Sequence, residues 1–288
     1  MPGQHPVRLQ AGPKENPLAT TALDKILEAR RRRIEEAKTR VPLADLQKLA
    51  RGRTDFSDFR KPLSRSGISV IAELKRASPS RGLLREDYRP QVIAKGYEVA
   101  GAVALSVLTE QDFFLGSLND LREVRAATGL RILRKDFIVD DYQVYESVAA
   151  GADALLLIVA ALTDGDLRRL IELSTQLRIA PLVEAHTEEE IARALAAGAQ
   201  IIGVNNRNLK TLEMDLETSF RLRPKIPAGC LAVSESGIKS AEDLRRLSEA
   251  GFNAVLIGER FMTQPDPGKE LADLLSLVSD TARPLTGQ

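Results

Sequence analysis

Short apolar runs in this chain keep ending on residues that can do chemistry or hold an anion. Ile68–Leu74 carries Glu73 near its end and is followed by Lys75, and Arg131–Arg134 is followed by Lys135. Ala180–Val183 leads to Glu184, Ile201–Val204 to Asn205, and Leu231–Val233 to Ser234, Glu235 and Ser236. Ala254–Ile257 ends at Gly258, and Val103–Leu108 ends at Thr109 and Glu110, a weaker case. Side chains alternate along a strand, so Glu73 and Lys75 share a face while Leu74 takes the other. An acid and an amine side by side can bind a carboxylate or pass a proton; they can also be a structural ion pair. Lys135 and Glu184 admit the same two readings. Charge near a core is costly unless paired or used. Burial lowers a Lys pKa and raises a Glu pKa, so both are expected to move toward neutrality. Glu73, Lys75, Lys135 and Glu184 together are more charge than packing requires, which favours acid–base catalysis.

The loops add anion-binding chemistry. In Asn205-Asn206-Arg207-Asn208-Leu209, Asn205 can orient a hydroxyl or carbonyl and Arg207 can contact phosphate. Three asparagines in four residues also suit a turn. Ser236-Gly237-Ile238 and Gly258-Glu259-Arg260 each put a glycine just past an apolar run. Glycine lets a backbone approach a phosphate closely. Either alone reads as a plain turn, but two after consecutive final strands favour phosphate binding. Ser78–Gly82 has the composition of a flexible lid or an anion contact, and His186 reads as a rim residue.

Positioning these groups requires a strand–helix alternation. Strands are expected at Ile68–Leu74, Val103–Leu108, Arg131–Leu133, Ala154–Val159, Ala180–Val183, Ile201–Val204, Leu231–Val233 and Ala254–Ile257. They are apolar on both faces, as strands buried in a parallel sheet should be. Helical patterns such as Leu118–Thr128, Tyr142–Ala150, Asp166–Gln176 and Glu188–Ala197 lie between them. Gly101-Ala102, Gly151-Ala152, Gly198-Ala199 and Gly251-Phe252 recur before strands, where a left-handed glycine ends a helix. The expected fold is α/β, a (β/α)8 TIM barrel with an N-terminal helical extension. A doubly wound open sheet is the rival, disfavoured by eight strands without a Gly-x-Gly-x-x-Gly turn. Residues 1–17 are expected as a disordered tail, 18–66 as the helical extension, 67–274 as the barrel and 275–288 as a C-terminal tail. Within the extension, helices run from Thr21 and Asp24 to Thr39, and over Leu43–Leu49.

Composition narrows the partners. Lys and Arg number 41 against 40 Asp and Glu, so there is no basic field for nucleic acid. Arg30–Arg33 is followed at once by Glu35 and Glu36 and reads as a solvated helix face. One cysteine, Cys230, forbids an internal disulfide, and only His186 lies outside the tail that holds His5, which leaves little for a paired-histidine metal site. No apolar stretch is long enough to span a membrane, nor does the N-terminus have the apolar core of a signal peptide. A cytoplasmic protein without membrane or nucleic-acid partners is expected.

These segments together resemble indole-3-glycerol phosphate synthase, from roughly Ala22 to Met262. The likeness rests on Ile71-Ala72-Glu73-Leu74-Lys75-Arg76-Ala77-Ser78-Pro79-Ser80, Ser106–Glu110, Arg134–Ile138, Leu182–Glu184, Gly203–Leu209 and Ser234–Ile238, in that order. The resemblance implies a phosphorylated small-molecule substrate, no metal or organic cofactor, and a monomer or weak homodimer able to associate with other tryptophan-pathway enzymes. It implies Lys135 as general acid, Glu184 and Glu73 as acid–base carboxylates, and Lys75 near the substrate carboxylate and in dehydration. Asn205 would position sugar oxygens and Ser236 would support the substrate. Phosphate would be held by Ser78, Arg207, Gly237, Gly258 and the N–H of Glu259. Phe114, Leu133, Phe137 and Leu209 are candidates for an aromatic slot, and all could be ordinary packing. Gly258-Glu259-Arg260 departs from the Gly-Glu-Ser or Gly-Ser-like pattern of the family; Glu259 is expected to point away from the phosphate, with Arg260 a residue that could assist. The extra N-terminal helices would cap a rim or cover part of the mouth. Two other readings stand beside this one. Lys135 or Lys75 could be a Schiff-base nucleophile of an aldolase-type barrel, or the barrel could bind phosphate sugars without turnover.

Overall fold

β-Branched and leucine-rich runs, apolar on both faces, are satisfied only when a sheet is covered on each side. In the computed structural model, which describes residues 21–208, 211 and 213–280, they form eight strands. These are β1 (Ser69–Leu74), β2 (Ala104–Leu108), β3 (Arg131–Lys135), β4 (Ala154–Ile158), β5 (Ala180–Ala185), β6 (Ile201–Asn205), β7 (Leu231–Glu235) and β8 (Ala254–Ile257). Each pairs in parallel with the next, and β8 pairs with β1 from Ser69↔Ala254 to Ala72↔Ile257. The sheet is closed, which removes the open-sheet rival.

Helices cover the outside: α3 (Pro90–Ala100), α4 (Leu118–Ala127), α5 (Asp141–Ala150), α6 (Asp164–Gln176), α7 (Glu188–Ala196), α8 (Glu217–Leu222), α9 (Ala241–Glu249) and α10 (Pro267–Asp280). α1 (Ala22–Arg40) and α2 (Leu43–Gly52) precede the barrel. Ser117, Asp140, Thr163, Thr187 and Ser240 each accept a backbone N–H at the start of a barrel helix, which fixes where the preceding loop must end. Gly101, Gly151, Gly198 and Gly251 are left-handed, as the helix stops require. α10 runs past residue 274, where the sequence reading ends the barrel. Residues 1–17 and most of 275–288 as expected tails, with Leu209, lie outside the described residues.

Two apolar layers result. Leu105, Val107, Leu155, Leu157, Val183, Ile202 and Val255 face the helices. Ile71, Leu133, Leu156, Leu182, Val233 and Leu256 face the barrel axis. Alternation then dictates what stands one step above the axial layer: Glu73 above Ile71, Lys135 above Leu133, Glu184 above Leu182 and Glu235 above Val233. Phe59 and Leu63 belong to the same axial cluster as Ile201, Leu231 and Ala254 at the strand starts, so the segment before β1 closes the lower end. Ile26 and Leu27 of α1 join it from above, near Phe113, Phe114 and Phe137. Among the described residues no helix is long and apolar enough to cross a membrane.

Candidate active site

The strand ends open into a cavity of about 570 Å³ at the C-terminal mouth of the barrel. Its wall contains Glu73, Lys75, Lys135, Glu184, Asn205, Arg207, Ser236, Gly237, Gly258, Glu259, Phe114 and Phe137, twelve of the expected site residues. Ser78 is not in the wall: it is buried, with its Oγ 3.5 Å from Ser80 Oγ. Leu133 is one layer down in the axial core.

The centre of the site is Lys135. Its Nζ lies 2.7 Å from Glu184 Oε2 and 2.8 Å from Glu235 Oε2. A second pair, Lys75 Nζ to Glu73 Oε1 at 2.7 Å, stands beside it. Burial would lower the Lys135 pKa, but the carboxylates of Glu184, Glu235 and Glu73 outweigh it and hold the amine above its ordinary value. Burial would raise Glu184, but Lys135 and His186 outweigh it and bring the group down to about 2. The expected drift of both toward neutrality is therefore reversed, because each is paired as well as buried. Glu235 makes the opposite compromise. Burial, resisted by Lys135 and reinforced by Glu184, pushes it up to about 7. Its Oε1 is buried without a hydrogen-bond partner. That oxygen fills the space where a Cβ on Gly203 would be, with Glu235 Cδ only 3.2 Å from such an atom. Glu235 was visible among the strand-end residues but received no role from sequence. A glycine in the middle of β6, opposite Val233 and two residues below the level of Glu235 on β7, was the available signal.

Neighbouring groups hold these side chains in place. Asn205 acts on Glu184 from its side of the cavity and adds to the lowering of its pKa, while the Asn205 Oδ1 accepts the Arg207 N–H at 3.0 Å. His186 sits behind Glu184, with Nε2 3.5 Å from Glu184 Oε1 and Nδ1 3.1 Å from Glu190 Oε2. Although burial opposes it, the Glu190 and Glu184 carboxylates hold His186 above its ordinary pKa. His186 is thus a partner of a site carboxylate rather than a rim residue. Asn206, in contrast, serves the backbone: Nδ2 donates to Glu235 O and Ser236 O, both at 3.0 Å. It secures a turn in which Ser236 (φ 66) and Gly237 (φ 78) are both left-handed. A serine in that region is strained, and Asn206 is what keeps it there. Gly258 is required for a different reason from close phosphate approach alone, since a Cβ there would come within 2.9 Å of Glu73 Cβ.

The loops after β2 and β3 supply the apolar side. Phe114 and Phe137 lie with ring centroids 6.2 Å apart. Glu110 accepts the N–H groups of Asp112, Phe113 and Phe114 at 2.9, 2.8 and 3.0 Å, so its part is to fold the loop that presents Phe114. Asp136 accepts the Phe137 N–H at 2.8 Å and pairs with Arg134 at 2.9 Å. Arg30 of α1 reaches the same carboxylate at 2.8 Å, with both side chains buried. The basic run that read as a solvated face therefore sends one member inward, and α1 is tied to the segment between Lys135 and Phe137.

Glu259 turns the opposite way from expectation. Its carboxylate lies in the cavity wall, 3.0 Å from Arg81 Nε and 3.2 Å from Arg207 Nη2. Two guanidinium groups draw it in, while Arg260, also in the cavity wall, pairs with Glu270 at 2.6 Å. Among the described residues no group of three His, Cys, Asp or Glu side chains is placed to hold a metal ion.

A closed (β/α)8 barrel with lysines and carboxylates paired at its C-terminal mouth is an enzyme scaffold with an acid–base site. A family model described as indole-3-glycerol phosphate synthase matches residues 23–274. The chain belongs to the indole-3-glycerol phosphate synthase family. A protein of that name from Carboxydothermus hydrogenoformans is 45% identical over 262 residues, covering 88% of this chain and 99% of that protein. Another from Desulfotalea psychrophila is 52% identical over 217 residues, covering 75% and 84%. A solved mandelate oxidase mutant with a monooxide FMN adduct aligns with a TM-score of 0.55 at 18% identity, covering 75% of this chain and 71% of that one, a likeness of fold alone.

Proposed function

We propose that this cavity closes the indole ring: 1-(2-carboxyphenylamino)-1-deoxyribulose 5-phosphate becomes indole-3-glycerol phosphate, with loss of carbon dioxide and water, the work of a carboxy-lyase. The observation that carries the reading is Lys135 held between Glu184 and Glu235 in a cavity with unlike sides. Loops after β6, β7 and β8 bring Arg207, Gly237 and Gly258; loops after β2 and β3, across the barrel, bring Phe114 and Phe137. A substrate with a phosphate at one end and an aromatic ring at the other matches that layout.

The aromatic carbon bearing the carboxylate attacks the ribulose carbonyl carbon, and the carbonyl oxygen gathers negative charge. Lys135, as a fixed cation, stabilises that oxygen and protonates it as it becomes more basic than an amine. The carboxylate leaves as carbon dioxide and its electron pair restores the ring. The new hydroxyl then departs as water on receiving a proton, while a base removes the neighbouring proton. Glu184 and Glu73 are the acid–base carboxylates, and Lys75 lies near the substrate carboxylate and serves the dehydration. Glu235, which titrates near neutrality, is suited to return a proton to Lys135. Asn205 orients the reacting sugar oxygens and Ser236 supports the substrate. Phosphate is held by Arg207, Gly237, Gly258 and the N–H of Glu259, with Ser78 behind Ser80 in the loop beside it. An amine kept protonated by two carboxylates is poorly suited to form a Schiff base, which weighs against the aldolase-type reading. The reading carries with it a cytoplasmic location and a monomer or weak homodimer able to associate with other tryptophan-pathway enzymes.

The test is indole fluorescence on adding the carboxyphenylamino-deoxyribulose phosphate to purified protein, which has no tryptophan of its own. Emission should rise with the natural chain, and Lys135→Ala should lower the rate by about a thousandfold or more while still binding inorganic phosphate. Near-normal turnover in Lys135→Ala refutes its role as acid. Binding without any rise in either chain leaves a silent barrel.

A further inference from the structure

The end of the cavity assigned to phosphate already contains an anion. The two oxygens of Glu259 take different cations, Oε1 facing Arg81 Nε at 3.0 Å and Oε2 facing Arg207 Nη2 at 3.2 Å. Arg81 belongs to the loop after β1, while Arg207 follows β6 and also donates to Ser80 Oγ of the β1 loop at 3.2 Å. One carboxylate thus joins the β1, β6 and β8 loops around the space lined by Gly237 and Gly258. All three side chains keep some contact with solvent, Glu259 and Arg207 being about one-fifth exposed. The carboxylate can therefore leave without a buried charge being stranded.

We infer that Glu259 is an internal competitor for the phosphate of substrate and product, a residue that sets ligand affinity by opposing it. The inference rests on the reading of Arg207, Gly237 and Gly258 as the phosphate end. A ligand phosphate seeks the same guanidinium donors, and an oxyanion beside an ionised carboxylate is repelled. Glu259 must therefore give up Arg207 when phosphate enters, and it recovers Arg207 when product leaves. A tethered anion competes at high effective concentration without being consumed. The consequence is a site that stays closed to weakly held anions and does not retain a phosphorylated product.

The sign of one mutation separates this from a purely structural clasp. Methyl phosphate, and methyl sulfate as its singly charged counterpart, would be titrated calorimetrically at pH 8 into the full-length chain and into Glu259→Gln. Releasing two partly exposed ion pairs is expected to tighten both ligands by about tenfold. The KM for the natural substrate and the inhibition constant of the indole product should fall in the same proportion. Unchanged or weaker binding in Glu259→Gln overturns the inference, since a clasp that builds the site would lose affinity when cut. Arg207→Ala distinguishes the two levels. If it binds methyl phosphate as the natural chain does, the phosphate reading itself fails. If it loses the ligand while Glu259→Gln gains nothing, only the competitor role fails.

Discussion

Glu235→Gln tests the electrostatics of the site at the group that sequence left without a role. Glu235 is buried, and its pKa rises from an ordinary 4.5 to about 7. Between those values the folded chain holds a proton that the unfolded chain has released, so stability falls as pH rises through this window. A difference of about 2.5 pH units between the two values corresponds to roughly 3 kcal/mol, fully lost once the pH passes 7. Glutamine keeps the shape of the protonated acid and cannot ionise. The stability of Glu235→Gln relative to the natural chain should therefore improve by about 3 kcal/mol from pH 4.5 to 7.5. For a domain of this size that is a relative gain of about 5–10 °C in melting temperature. His186, also raised, loses its contribution as pH climbs in the same direction, but it is present in both chains. Thermal unfolding followed by circular dichroism at half-unit pH steps gives the comparison. Two parallel curves would refute the placement of Glu235 as a carboxyl held near neutrality. Turnover supplies a second reading: the natural chain should lose kcat above pH 7 as Glu235 gives up its proton, whereas the variant should be about a hundredfold slower and lack that decline.

Other perturbations probe the supports. Gly258→Ala would push a methyl into Glu73, within 2.9 Å of its Cβ, and should cost about 1–3 kcal/mol of stability with a turnover loss near a hundredfold; a melting curve and an initial-rate assay check both, and normal turnover would show that Glu73 is not needed where it lies. Arg30→Met leaves buried Asp136 with Arg134 and without its α1 partner, so stability should drop by about 3 kcal/mol and KM should rise as Phe137 loosens. Denaturant unfolding and steady-state kinetics separate these effects, and an unchanged KM would mean that α1 is a cap without influence on the slot.

Much of the site could be read along the chain because a barrel strand obeys a period of two. Once Ile71, Leu133, Leu182 and Val233 face the axis, Glu73, Lys135, Glu184 and Glu235 must follow them at the mouth, and glycine stops mark where each helix ends. Those constraints are local, since each depends on a residue and its neighbours two or three positions away. The strand count, the site's location and most of its members followed from them.

What the chain could not disclose were relations across the barrel. The pKa order of Lys135, Glu184 and Glu235 depends on which strand ends meet, through contacts spanning 49 and 100 residues. Arg30 was read as part of a solvated face because Glu35 and Glu36 follow it, and Glu259 as turned away from the phosphate, whereas Asp136 draws Arg30 inward and Arg81 and Arg207 hold Glu259 at the cavity wall. Leu74 and Glu73 differ in face by geometry that any strand enforces. Whether a carboxyl is a base, a proton reservoir or a rival anion depends on charges that only folding brings within a few ångströms, where Coulomb forces in a poorly screened interior become decisive.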